Sequence, residues 1–502
     1  MDGDMIGPGG VRRFAARWTI AADLVADAPI HLGSGEEGTV VDLPLIRDPT
    51  EARPLIMGTS FAGALRDYAC ERLLGDRVLE DGIGLAVEIE RLFGGRRGDP
   101  EGLQSPLVVF DALGASPGSG TEIRDGVRID PRSGTAAEHF KYDLELWPPG
   151  TTFRMRLDLQ VPEGVSPVDE ARLLALLTIA TDGLTTGAIR LGARGNRGLG
   201  RCRLKNPQAV RYSLADCNGW FRWLGAWLDE PRLPTKEDRG ANEIAGALTA
   251  AWPNGRQALD AALEAWRKTM PERLVVTVPI RFPAGLLIRS PQETATGADV
   301  RHLRSAGNPV LSGTAVAGPL RQRALRIARA VKNGEGDAWA EVLFGSEAQL
   351  RRANSALLAS RLQVDEMPLR CHTDLQVTRI KLDRFTQAPV GGALFEEEPV
   401  YRAKTGLRLV LRLPADAPTA DALCGLLLLI VKDLLLGAIP LGGTTGVGRG
   451  AVRPDGPLLV ERTGREPFEI SPTEPPPHSV RAPVEAWVGA FRTHRLAAKD
   501  RE

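Results

Sequence analysis

Cysteine is scarce in this 502-residue chain, with five residues and no C-x-x-C pair. Their spacing supports neither a disulfide framework nor a zinc knuckle, and it suits a reducing compartment. The six histidines show no metal-ligand spacing, so zinc is not expected. Long apolar runs are missing as well. The longest, Ala422 to Val431, falls well short of the roughly 20 residues of a membrane span, and Lys432 and Asp433 follow at once. The N-terminal MDGDMIGPGGVRR lacks the apolar centre of a secretion signal. These absences point to a cytoplasmic protein with no membrane partner. Net charge is also lacking, because 63 Lys plus Arg balance 63 Asp plus Glu. That excludes a grip on nucleic acid through global charge but leaves room for a local basic groove. Lysine is rare among the cations, nine against 54 arginines. Forked contacts to phosphate and a GC-rich genome both give that bias.

What is present is a repeat. The length suggests two to four domains, and 43% hydrophobic residues are ordinary for globular chains. DLPLIRDPTEARPLIMGTSFAGALRDYA, from Asp42, is echoed from Asp299 by DVRHLRSAGNPVLSGTAVAGPLRQRA. GAIRLGARGNRGLGRCRL (187–204) is echoed by GAIPLGGTTGVGRGAV (437–452). Asp42 and Asp299, Gly58 and Gly313, and Gly192 and Gly442 are offset by 257, 255 and 250 residues. Near-constant offsets over separate motifs indicate a tandem duplication.

Each copy reads as an alternating strand (Trp18 to Val25, Leu274 to Ile280) leading to a polar loop that holds the Asp. A Gly-Thr pair then opens a helix (Thr59 to Leu74, Thr314 to Val331), its small polar residue placed as an N-cap. Hairpin signals follow, then an apolar helix (Val168 to Thr181, Thr419 to Leu436), a glycine loop and a closing strand (Gly200 to Leu204, Gly450 to Val452). This order is the split βαβ pattern, so the expected class is α+β: two tandem ferredoxin-like (RRM-like) domains, at 14–205 and 271–453. Residues 206–270 carry five of the nine tryptophans and read as a helical spacer, with Trp220, Trp223 and Trp227 on one helix face. Packing on a neighbouring domain and base stacking are the two uses of such a face. Residues 454–502, with SPTEPPPHS, read as an extended tail carrying one short helix, Val484 to Phe491.

A nucleotide cofactor is not expected, because phosphate-binding fingerprints run strand, glycine loop, helix, and here the order is reversed. A glycine loop can instead bring backbone N–H groups to a phosphodiester. The first loop supplies Arg190, Arg194, Gly195, Arg197 and Gly198, with Arg201 at its end. In the second loop Gly442, Gly443, Thr444 and Arg449 stand in a less basic setting. The helix openings Gly58, Thr59, Ser60 and Gly313, Thr314 offer further anion sites, with Arg66 and Arg321 one to two turns in.

These residues resemble the RAMP superfamily, specifically the repeat backbone subunits of type III CRISPR effector complexes. The resemblance rests on the loop Asp and Gly-[Ser/Thr] helix opening, on the helix followed by a glycine loop, and on GVRIDPRSGTAAEHFKYDLELWPPGTTF (126–153). The last looks like the family's thumb hairpin, with Ile129, Asp130, Ser133, Gly134 and Ala136. VTRIKLDRFTQAPVGGALFEEEPV (377–400) is a looser version with Leu382, Asp383, Thr386 and Ala388. The resemblance implies that each copy cradles the backbone of a guide CRISPR RNA, while the thumb splays one base pair of the guide–target duplex. Implied partners are the complementary target RNA, other RAMP subunits and the large polymerase-like and small subunits of the complex.

In cleaving members one loop Asp supports metal-dependent cutting of target RNA. Asp42 matches that position, and Asp299 matches it with spacing to the helix opening two residues shorter. The implied cofactor is Mg²⁺ or Mn²⁺, held by Asp42 and bound transiently with RNA, because a lone carboxylate must borrow waters and phosphate oxygens. His302, beside Asp299, reads as a surface histidine or a local RNA contact. Two alternatives stay open. One is a non-catalytic guide-RNA scaffold. The other is a guide-processing ribonuclease using His31 as general base, which needs a second acid/base group.

Overall fold

The computed structural model describes residues 13–36, 38, 41–75, 84–95, 102–118, 120–130, 135–228, 244–267, 272–290, 298–332, 334–346 and 358–496. The fold is α+β, with two principal antiparallel sheets, each backed by helices. In the first, Phe14–Ala26 is central between Thr152–Pro162 and Cys202–Ser213, and Leu107–Val109 and Ala112–Ala115 lie outside Thr152–Pro162. In the second, Arg273–Arg281 is central between Lys404–Arg412 and Leu458–Arg462, with Leu362–Val364 outside Lys404–Arg412. Numbered by their place along each half, the four strand positions run fourth, first, third, second in both sheets.

Alternation fixes which face is covered. Trp18, Ile20, Ala22 and Leu24 are fully buried on one side of the first central strand, as are Leu274, Val276, Val278 and Ile280 on the second. Helices Gly58–Leu74 and Pro167–Thr185 close the first core; Gly313–Val331 and Ala417–Leu435 close the second. No described helix is long and apolar enough to cross a membrane.

Several boundaries differ from the sequence expectation. The first module's last strand runs to Ser213, past the expected limit at 205, because its pairing with the central strand resumes after a register shift and continues opposite Ala16–Ala21. Helices Ile244–Ala251 and Arg256–Arg267 of the Trp-rich segment contribute Ile244, Leu248, Leu259, Leu263 and Trp266 to the first core. The stretch from 454 is not an extended tail. Leu458–Arg462 and Phe468–Ile470 join the second sheet, and His478–Thr493 forms a helix that buries Trp487 and Phe491 in the second core. This explains why Ala417–Leu435 is apolar nearly all round: it is sandwiched between the sheet and that last helix. A Cβ at Gly425 would lie 2.2 Å from the Trp487 carbonyl oxygen, so glycine allows the two helices to touch.

Candidate nucleic-acid interface

The two loop aspartates sit in matching places. Asp42 Oδ2 accepts the backbone N–H of Asp143 at 2.9 Å, and Asp299 Oδ2 accepts that of Glu396 at 2.9 Å. Leu43 and Val300, the next residues, bridge in parallel to Leu144 and Glu397. Both aspartates are exposed at the foot of a long hairpin. Their surroundings differ. Around Asp42, Asp143 lies against Asp125, whose hydrogen bond and charge hold the Asp143 carboxyl above its ordinary range, and Lys141 pairs with Asp125 at 3.1 Å. Beside Asp299, Glu396 is engaged by Gln376 and Thr378.

The hairpins share one register. In the first (Glu122–Ile129 with Ala136–Leu146), Ile129 pairs with Ala136 and Asp130 N–H donates to the Thr135 carbonyl. In the second (Val377–Leu382 with Pro389–Glu398), Leu382 pairs with Pro389 and Asp383 N–H donates to the Ala388 carbonyl. Both shift register one residue before these pairs. Ser133 and Gly134 lie outside the described residues. Apolar side chains crowd both projecting ends: Val127 and Ile129 on one, Ile380, Leu382 and Leu394 on the other, all exposed, while the exposed Ile123 lies at the first foot, paired with Glu145. Phe385 at the second tip is 92% exposed. Asp383 Oδ1 accepts from the Phe385 and Thr386 N–H groups and from the Thr386 hydroxyl, which holds the turn and keeps this carboxyl below its usual range.

The glycine loops also match: positive φ recurs at Gly187, Gly192, Arg194, Gly198 and Gly200 and at Gly437, Gly442, Thr444, Gly448 and Gly450. Part of each loop's N–H set is already used inside the protein. The N–H groups of Leu191, Ala193, Arg197, Gly198 and Gly200 bond within the first module, and those of Leu441, Gly443, Val447, Gly448 and Gly450 within the second. Arg190 is buried and pairs with Asp365 of the second module at 2.5 Å. Burial, opposed by Asp365, pulls its guanidinium down to about 10. Arg449 is buried against Glu397 at 2.6 Å and bonds Thr444. Arg194 stacks on the Tyr142 ring and donates to its hydroxyl. Gly195 packs on the Arg190 stem and Gly198 on Glu366. Arg197 is exposed. Sequence could not separate these arginines, because their acceptors lie far along the chain.

Packing constrains the helix openings. Gly58 N–H donates to Asp111 at 2.6 Å, so a carboxylate of the protein already fills that anion position. The N-cap residues are Met57 and Ser312 rather than the threonines. A Cβ on Gly58 would lie 2.4 Å from the Val109 carbonyl, and one on Gly313 2.3 Å from that of Arg197. Arg321 donates to the Gly345 carbonyl. Thr59, Ser60 and Thr314 are exposed and Arg66 is half-buried. Sequence reasoning missed Arg289, exposed beside Gly443, and Glu145, which gathers Leu45 N–H, Arg47 and Thr121 beneath the first hairpin.

Neither histidine is a surface group. His302 is 2% exposed; Nδ1 accepts from Ile288 N–H and Nε2 donates to the Val310 carbonyl, and burial pushes it down to about 4. His31 is buried with Nδ1 on the Glu145 carbonyl, and desolvation lowers its pKa. That contact supplies no acid/base side chain for RNA processing.

Among the described residues no group of three or more His, Cys, Asp or Glu could by itself hold a metal ion. Asp42 donates one carboxylate to solvent, which fits an ion that keeps its waters and is completed by RNA phosphate oxygens. No curated protein matches the chain. Residues 23–203, from the first central strand through the first glycine loop, match the family model of the RAMP superfamily.

Proposed function

We propose that the chain is a guide-RNA-binding backbone subunit of a type III CRISPR complex, built from two fused ferredoxin-like RAMP modules that cut complementary RNA. The family match over 23–203 supports a CRISPR-associated RNA-binding role. One observation carries the tandem reading: two exposed aspartates, 257 residues apart, each bonded to the same backbone position at the foot of hairpins of one register. In this reading the apolar hairpin ends wedge a guide–target duplex and splay a nucleotide over the aspartate. Splaying frees the target's 2′-hydroxyl to attack its adjacent phosphate in line, passing its proton to water, forming a 2′,3′-cyclic phosphate and displacing the 5′-oxygen of the next nucleotide. Asp42, held by Asp143 N–H, keeps one oxygen edge toward that phosphate. Mg²⁺ or Mn²⁺, when bound there, would offset charge on the phosphate oxygens. Arg197, Arg289, Arg66 and the exposed Thr59, Ser60 and Thr314 are the contacts left for the guide backbone. Sister RAMP, polymerase-like and small subunits are the proposed partners.

The test uses the guide-loaded complex, labelled complementary RNA and Mg²⁺. Asp42→Ala and Asp299→Ala should each remove one cut, by at least 100-fold, with target binding unchanged. Wild-type cutting in both variants would make the chain a guide-RNA scaffold.

A further inference from the structure

The junction between the modules can be compared position by position with the first module's outer sheet face. Strand pairing fixes the equivalences. Ile20 pairs with Leu157 and Leu157 with Val109, as Val276 pairs with Leu409 and Leu409 with Val364. Arg17 therefore corresponds to Arg273, Arg156 to Arg408 and Phe110 to Asp365.

On the second sheet, the face turned away from its own helices is covered by the preceding module. Arg273 bonds Glu71 at 2.9 Å and lies 5.7 Å from the Tyr68 ring, both on helix Gly58–Leu74. On the first sheet the equivalent arginine, Arg17, lies 4.4 Å from the ring of Trp223. Trp223 belongs to helix Cys217–Leu228, which follows that sheet's last strand. One helix of the linking segment thus holds on the first sheet the place that the preceding module's helix holds on the second.

A chemical difference points the same way. Asp365 receives Arg190 and Arg201 from the first glycine loop and Arg408 from its own sheet. At the matching place Phe110 offers an aromatic face, with Arg156 5.0 Å from its ring, and the carboxylate of this face is Asp158 of its own sheet, fully buried and paired with Arg17 at 2.9 Å and Arg156 at 3.2 Å. The second glycine loop carries Pro440 and Ala451 where the first has Arg190 and Arg201.

We propose that helix Cys217–Leu228 is an intramolecular cap that fills the module-docking face of the first sheet and closes it to head-to-tail stacking of a second copy. A repeated module with an open donor loop and an open acceptor face would form a heterologous, non-closing contact and risk filaments. The cap opposes this sterically; chemically, the buried Asp158 of this face is already matched by Arg17 and Arg156, and the second glycine loop lacks the arginines to offer.

Sedimentation and native mass spectrometry over a range of concentrations test this on the full chain without RNA, so the outcome is independent of the RNA reading. Three proteins are compared: wild type; Phe110→Asp with Pro440→Arg and Ala451→Arg; and that triple variant with Trp223→Ala and Leu224→Pro. Leu224 is 43% exposed, so proline there breaks the helix outside the core. Wild type and the triple variant should stay monomeric, and the cap-broken variant should gain at least tenfold tighter, salt-sensitive self-association. Association of wild type or the triple variant with 217–228 still protected from hydrogen exchange overturns the proposal. So does a monomeric cap-broken protein whose first sheet remains protected, or a helix that stays protected despite the proline. Trp223→Ala alone on the triple variant covers the case in which proline unfolds the sheet; it should associate detectably, and failure to do so there counts against the cap.

Discussion

His302 shows how a single residue's environment sets its chemistry. As a neutral Nε2–H imidazole it satisfies one backbone donor and one acceptor in a site only 2% exposed. Charging it would leave the Ile288 N–H facing a second donor. Its pKa falls from 6.5 to about 4, so between those values the unfolded chain binds a proton that the folded chain does not. Its contribution is present above pH 6.5 and is lost as pH falls toward 4, on the order of 3 kcal/mol in all. Urea unfolding at stepped pH should show this slope in wild type and lose it in His302→Asn. Glycine makes a second case. Gly313→Ala places a methyl 2.3 Å from the Arg197 carbonyl and should cost about 1–3 kcal/mol, while Gly446, with nothing within 4 Å, should tolerate alanine. Sequence marks Gly313 as a helix-opening glycine; the close approach of a carbonyl of the other module, which also requires glycine there, has no signal in the sequence. His302 reads as a surface histidine or RNA contact for another cause: its partners, 14 and 8 residues away, are backbone groups, which leave no side-chain signal in the sequence.

Among the elements, the hairpins and glycine loops were the most legible. The family resemblance aligns Ile129-Asp130 with Leu382-Asp383, and in both hairpins the last pair joins residues seven apart, Ile129 with Ala136 and Leu382 with Pro389. Turn chemistry is local, so it survives in sequence. The glycine-loop conformations were legible for the same reason, but their N–H partners were not. The second tip gives a direct check. Asp383→Ala removes three acceptor contacts, so amide exchange at Phe385 and Thr386 should accelerate, with the melting temperature unchanged because the tip buries nothing. A lower melting temperature would mean that the tip packs against the body of the protein. The last helix, His478–Thr493, was only half read, because Pro477 and Pro483 look like breakers. Pro477 takes the N-cap place, while Pro483 lies inside the helix as its sixth residue and gives up the bond its N–H would make to the Ser479 carbonyl.

The whole molecule is held by a junction that no motif announces. Asp365 and Glu366 lie in an unremarkable LQVDEMP stretch, yet Asp365 gathers three arginines and Glu366 takes a bidentate contact from Arg124. The partners stand up to 242 residues apart, beyond the reach of any local pattern. Asp365→Ala would strand the buried Arg190 and should destabilise by about 3 kcal/mol. Because the loss falls between two separate cores, calorimetry should resolve one transition into two. A single unshifted transition would mean that the modules are not coupled there.

If two equivalent modules lie side by side on one RNA, as proposed, their hairpins meet it at a fixed interval. Nucleotide-resolution crosslinking of guide RNA in the purified complex reads that interval, with photoreactive residues placed at Phe385 and at Ile129. Two crosslink clusters of similar pattern, displaced by one fixed interval along the guide–target duplex, are the predicted result. Crosslinks from only one hairpin, or two clusters without a fixed interval, would contradict it.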